Sequence, residues 1–130
     1  MAKGHATAVM IITPEGIPLV RDPKKQPPLF WKVPGGRGDA TETARQCACR
    51  EIREELGVTL LESDLGIAYE EDKGSHILTL FVAKLPVLPK LKEIGDEGEE
   101  IKVFSPQQLL RMADFFPNHR RVFEKYLRNL

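Results

Sequence analysis

Cysteine is almost missing from this chain, with two residues in 130, Cys47 and Cys49. Two apart on what reads as a helix, they point to different sides, which excludes a bridge between them and disfavours a shared metal. A reducing, cytoplasmic setting is the expectation. Excess charge is missing as well. Nineteen basic and nineteen acidic side chains give a formal net charge of zero, so no broad surface for duplex nucleic acid or for a membrane is expected, and the partner should be a small molecule. Long hydrophobic runs are also lacking. The apolar stretch Ala6–Ile12 is far shorter than the ~20 residues a membrane helix needs, and no signal-type cleavage region follows it. There is no internal repeat and no low-complexity tail. The length suits one domain, residues 1–130, large enough to bury a core without staples.

What the sequence does hold is a short helix with glutamates on a ridge that begins apolar. Thr43 with Gln46 forms a capping box, so the helix is predicted to start at Ala44, and Gly57, free to turn left-handed, ends it after Leu56. At about 100° per residue, Glu51, Glu54 and Glu55 share one arc with Ala44, Cys47 and Ala48 of the earlier turns. The pairs Glu51/Glu54 and Glu51/Glu55 each cost about 0.2–0.5 kcal/mol. The helix C-terminus disfavours each anion by roughly another 0.3–1 kcal/mol. A divalent cation with oxygen ligands removes that repulsion, and Mg²⁺ suits carboxylates packed this closely. Taken alone, the cluster also suits a solvated acidic face balanced by Arg45, Arg50 and Arg53.

Around this helix the chain reads as strands. Ala6–Ile12 stops at the turn Thr13-Pro14-Glu15-Gly16, and Ile17–Arg21 is expected to return as its hairpin partner. Asp22–Leu29, with three prolines, reads as a loop whose Lys24 and Lys25 are solvated. Phe30–Val33 reads as a short strand feeding Pro34-Gly35-Gly36, where glycines permit a sharp turn and let amide N–H groups approach an anion. Trp31 suits either the core or stacking on a base. Gly66–Glu71 and Ile77–Leu85 bracket a turn at Asp72–Ser75, a hairpin signal, and both faces of the second strand look covered. His5 and His76 read as non-catalytic, His5 at the surface. Pro86–Pro89 ends that hairpin and an acidic loop, Glu93–Glu100, precedes a strand at Ile101–Phe104. Ser105 caps a helix with Pro106 at its first position. Asp114–Asn118 interrupts it, and a final amphipathic helix is predicted from about His119 to Leu130. This order of elements suggests an α/β/α sandwich around a mixed β-sheet.

One resemblance sharpens the reading. Gly36, Glu42, Arg50, Glu51, Ile52, Glu54, Glu55, Gly57 and Val58, at their spacing, resemble the complete Nudix box, and Trp31, Pro34 and Gly35 resemble the usual approach to it. Asp39 and Thr41 depart from the family's common loop, where glutamate and glycine are frequent. The resemblance implies a Nudix-type α/β/α fold and hydrolysis of a nucleoside diphosphate linked to another moiety, in the first place a nucleoside triphosphate, as in MutT-like enzymes. ADP-ribose or nucleotide sugars, dinucleoside polyphosphates, and a non-catalytic nucleotide-binding module are the alternatives. It further implies Mg²⁺ or Mn²⁺ held by Glu51, Glu54 and Glu55, a backbone contact from Gly36, and Arg50 holding a box carboxylate in place. Glu42 braces the loop or reaches metal through water. A carboxylate from the acidic loop completes the site, Glu97 first, with Glu99 and Glu100 as alternatives. The general base stays open between Glu51, Glu54 and such a loop glutamate. Arg21, Trp31 and Asn118 are the candidate substrate contacts, Asn118 through a faint likeness to the base-reading segment of MutT-type members. Monomer and homodimer are both compatible.

Overall fold

The structure, a computed structural model, describes residues 3–130. Six strands and three helices follow one another as β1 (Gly4–Ile12), β2 (Ile17–Arg21), β3 (Gly35–Gly38), α1 (Ala44–Leu56), β4 (Gly66–Asp72), β5 (His76–Lys84), β6 (Glu100–Phe104), α2 (Pro106–Arg111) and α3 (Pro117–Arg128). A single 3₁₀ turn, Glu62–Asp64, precedes β4. The main sheet has the order β3-β1-β5-β4, with β1 and β5 parallel and both outer pairs antiparallel. It is a mixed sheet. Among the described residues, no helix is long and apolar enough to cross a membrane.

Two-residue periodicity on β1 and β5 splits the core in two. Val9, Ile11, Phe81 and Ala83 meet Ala48, Ile52 and Leu56 of α1 on one side. Met10, Ile12, Leu80 and Val82 meet Phe104, Leu109, Phe123 and Leu127 on the other. The α/β/α layering follows, with α1 alone on one face and α2 and α3 on the other.

Several expectations need correction. β2 does not pair with β1 as a hairpin; the turn at Thr13–Gly16 forms, but β2 pairs with β6 in a separate two-stranded sheet. Its partner lies far along the sequence, so no local signal marks it. Phe30–Val33 makes only isolated bridges, Lys32 to Val20 and Trp31 to Phe115. Gly35 and Gly36 are not a turn: they begin β3 and pair with Ala8 and Thr7 of β1. β6 starts one residue early, at Glu100, and α3 starts at Pro117, so Asn118 belongs to its first turn. His5 is half-buried rather than at the surface, with Nδ1 enclosed and without a hydrogen-bond partner among the described residues.

His119 joins α3 to the strand side of the cleft. Its Nδ1 accepts the Val33 N–H at 3.1 Å, and its ring stands edge-on to Phe116 and Phe123. Burial, aided by the charge of Lys32, pushes its pKa down to about 4. The folded value lies below the unfolded one near 6.5, so the neutral ring stabilises the fold above that pH and the contribution is lost as pH falls toward 4. In urea titrations between pH 6.5 and 4 we expect wild type to lose stability more steeply than His119→Gln, by up to about 1.4 kcal/mol per pH unit. Parallel pH profiles for the two proteins would show that His119 takes up its proton in the fold as readily as in the unfolded chain, and that its pKa is not depressed.

Candidate active site

The C-terminal half of α1 gathers the box glutamates because both ends of the helix are fixed. Thr43 Oγ1 accepts the Gln46 N–H at 3.1 Å and Gln46 Oε1 accepts the Thr43 N–H at 2.9 Å, closing the capping box. At the other end Gly57 takes φ 73° and donates its N–H to Arg53 O. Ile52 and Leu56 are then driven into the core, and the ridge of Glu51, Glu54 and Glu55 faces β3.

Arg50 organises three carboxylates at once. Nε and Nη2 bind Glu42 as a fork at 2.8 and 2.9 Å. Nη1 reaches Glu51 at 2.9 Å and Glu54 at 3.2 Å, and Nη2 also donates to Arg37 O at 3.0 Å. A guanidinium has five N–H donors, and all are engaged. The arrangement depresses the Glu42 pKa, chiefly through the Arg50 hydrogen bond, and raises that of Arg50 itself.

Glu51 and Glu55 experience the opposite pressure. Burial raises the Glu51 pKa against the pull of Arg50. Glu55 is pushed up to about 8, mainly by burial and secondarily by the charges of Glu99, Glu51 and Glu97. The Gly35 N–H donates to Glu55 Oε2 at 3.0 Å, which favours the anion, yet desolvation wins. Gly36 is tied to this packing, since a Cβ there would fall inside the Glu51 carboxyl group. The amide approach anticipated for these glycines is therefore made, but to a carboxylate of the protein's own helix.

These groups line a cleft of about 620 Å³. Glu51, Glu54, Glu55, Asp96, Glu97 and Glu99 supply its acidic part, Gly35, Gly36 and Arg37 lie beside them, and Lys25, Gln26, Phe30 and Lys32 are among the residues from the loop after β2. Of the acidic-loop candidates, Glu97 lines the cleft and is exposed. Glu99, only 8% exposed, accepts the Glu97 N–H at 2.8 Å. Glu100 is turned to Arg21 at 2.6 Å. The candidate substrate contacts do not converge here. Trp31 is buried, edge-on to Phe104 at 5.2 Å with the Arg21 guanidinium 4.5 Å from its ring centroid, and it lines a different hollow of about 490 Å³. Asn118 is exposed and lines neither space. Phe30 and Lys32 were missed as cleft residues; alternation about the buried Trp31 is the signal that would have pointed to them.

The donor set fits a hard divalent cation in kind: clustered carboxylates with one bound cation, Arg50, among them. It is not gathered as a finished cage. Among the described residues, no three acidic, histidine or cysteine groups stand at mutual ligand spacing. Arg50 draws Glu51 and Glu54 toward itself while Glu55 stays on the Gly35 amide. The Gly36 carbonyl is approached by Thr7 Oγ1 at 3.4 Å.

Comparison with known proteins accords with this geometry. The NUDIX domain family matches residues 3–126. A Bacillus subtilis protein provisionally named 8-oxo-dGTP diphosphatase is 31% identical over 92% of this chain and 77% of its own. An ADP-ribose pyrophosphatase of Methanocaldococcus jannaschii is 28% identical over 75% of this chain, which spans only 57% of that protein. In fold, a solved MutT from work on Aliivibrio salmonicida and Vibrio cholerae superposes with a TM-score of 0.75 at 22% identity, covering 98% of this chain and 99% of that one. The MutT protein of Methanosarcina mazei gives 0.73 at 21%, covering 98% and 95%.

Gly36→Ala tests the packing of Glu51 without altering any carboxylate. The added methyl must displace Glu51, and we expect Mn²⁺ binding, followed by electron paramagnetic resonance, to weaken by about 10–100-fold while the circular dichroism spectrum is retained. Unchanged affinity in a folded variant would mean that the position of Glu51 does not matter to the ion.

Proposed function

The chain belongs to the NUDIX domain family, and from that membership we propose that it hydrolyses the pyrophosphate bond of a nucleoside diphosphate linked to another moiety, with a nucleoside triphosphate as its substrate. The observation that carries this reading is the acidic cleft at the end of α1, with Arg50 holding Glu42, Glu51 and Glu54 together. The provisional name of the Bacillus relative supports the triphosphate. The name of the Methanocaldococcus relative favours a second reading, hydrolysis of ADP-ribose.

Glu51, Glu54 and Glu55 would hold Mg²⁺ or Mn²⁺, with the Gly36 carbonyl and Glu97 or Glu99 adding to the set. Bound there, the ion would neutralise phosphate oxygens and lower the pKa of a bound water. In the hydrolysis a water oxygen forms a bond to phosphorus, the bridging P–O bond breaks, and its electron pair leaves on the departing phosphate. The water proton passes to a carboxylate. Glu54 is the best placed acceptor: its side chain is 42% exposed against 15% for Glu51, it lines the cleft, and Arg50 fixes its orientation. Glu97 is the second, from the loop. Arg50 acts as a positioning residue, and its fork on Glu42 ties the loop before α1 to the helix.

Glu54→Gln keeps size and hydrogen bonding and removes charge. Its Mg²⁺-dependent release of nucleoside monophosphate should fall by about 10²–10⁴-fold, and Glu97→Gln should fall less. Turnover unchanged in Glu54→Gln removes that residue from the chemistry. No monophosphate from any nucleoside triphosphate, nucleotide sugar or ADP-ribose would overturn the hydrolase reading as a whole.

A further inference from the structure

We propose that Lys25 and Lys32 form a paired receptor for the terminal phosphate of the substrate, so that the cleft prefers nucleotides that end in a charged phosphate to those whose diphosphate is capped by a neutral sugar. The inference deepens the hydrolase reading and rests on it.

The charged lining of the cleft is uneven: the chain between β2 and β3 supplies Asp22 with Lys25 and Lys32, β3 supplies Arg37, and the remaining charged groups are acidic. All its glutamates come from α1 and the loop after residue 93, whereas both lysines come from the chain between β2 and β3. Within that segment the lysines differ in employment. Lys24 is committed, its ammonium donating to Glu97 O at 3.2 Å and its amide to Asp22 Oδ1 at 2.9 Å; it ties the two loops together. Lys25 and Lys32 have no carboxylate at ion-pair distance among the described residues.

Lys32 cannot easily swing away to find one. Its backbone is clamped to Val20 by hydrogen bonds of 2.8 and 2.9 Å, and its ammonium stands 4.6 Å from the centroid of the Phe116 ring. Partial burial holds its pKa below the ordinary lysine value, and the charge of Lys25 adds to the effect while Asp22 opposes it. Both lysines line the same space, and like charges placed beside it repel. An anion bearing two charges removes that repulsion. A terminal phosphate monoester supplies both, and the compact ammonium suits it as a point charge that does not dictate orientation. Ribose hydroxyls at the same place would leave the repulsion standing. The acidic half of the cleft repels a triphosphate tail, so a cationic group is needed where that tail ends.

The test compares a nucleoside triphosphate with ADP-ribose in Mg²⁺, using wild type, Lys25→Gln, Lys32→Gln, the double variant and Lys32→Arg. We expect kcat/KM for the triphosphate to fall, relative to that for ADP-ribose, by about tenfold per lysine removed, with Lys32→Arg retaining most of the preference. Because Lys32 packs on Phe116, Lys25→Gln carries the result should Lys32→Gln fail to fold. Equal losses on both substrates, or none on either, overturn the receptor. A direct reading comes from calorimetric binding of an α,β-methylene nucleoside triphosphate, in which a methylene replaces the bridging oxygen whose cleavage would release the monophosphate. If wild type hydrolyses nothing, the hydrolase reading fails separately. Triphosphate binding that drops in Lys25→Gln more than ADP-ribose binding does still supports the lysine pair, and equal drops, or none, overturn it.

Discussion

Five N–H groups on Arg50 are divided among three glutamates and one backbone carbonyl, and the geometry of the acidic edge hangs on that division. Glu42 comes from the loop before α1, Glu51 and Glu54 from its last turns, and Arg37 from β3. One guanidinium therefore joins three segments. It cannot lose its charge at any pH the fold tolerates, so the attachment is permanent, but it balances one negative charge of three. Glu55 lies outside this set, on the Gly35 amide, and burial pushes its own pKa up. An edge stabilised in this way can accept further positive charge with little rearrangement of the backbone.

The helix that presents these groups was legible to the residue, and for a local reason. Thr43 with Gln46 and the left-handed Gly57 act within one turn of each end, and a shift of a single position would rotate the glutamate ridge by about 100°. The β4–β5 hairpin was equally local. Strand partners were not. β2 pairs with β6 across a sequence separation no turn signal spans, and its exchange of β1 for β6 makes the second small sheet. The glycines of β3 concealed a strand because glycine has poor strand propensity; contact with the Glu51 carboxyl group, which leaves no room for a Cβ at Gly36, outweighs that propensity. The family was readable from the spacing of the box residues, whereas the positions of Trp31 and Asn118 relative to the cleft depend on which way each backbone faces, which only tertiary packing decides.

The acidic loop shows how a residue type can be legible and its geometry not. Three glutamates in four positions, Glu97, Glu99 and Glu100, take three different settings: one exposed in the cleft, one buried and capped by a backbone N–H, one withdrawn to Arg21. Gly95 permits the middle setting, since a side chain there would meet the Glu99 carboxylate. Lys92 secures the same loop from the helix side, donating to Glu54 O at 2.9 Å and pairing with Asp96. Two lysines, Lys92 at Asp96 and Lys24 at Glu97 O, thus hold the middle of the loop, and Lys92 also ties it to α1.

A chain with zero net charge can still present a strongly polarised cleft, because charge matters by address rather than by sum. Over the dimensions of a 620 Å³ space, screening in physiological salt, with a Debye length of about 8 Å, does not erase the difference between a carboxylate-lined part and one lined by ammonium groups. A polyphosphate has its own gradient along its length, from the singly charged inner phosphates to the terminal one. Fixing the inner part among the glutamates by way of a cation leaves the terminal charge to be met by whatever stands next along the cleft. In the proposed receptor Lys25 and Lys32 answer that need, and Lys24 ties their segment to the acidic loop by donating to Glu97 O. The carbonyl it uses belongs to the very loop whose side chains line the acidic part, so one hydrogen bond joins the two sides of the cleft.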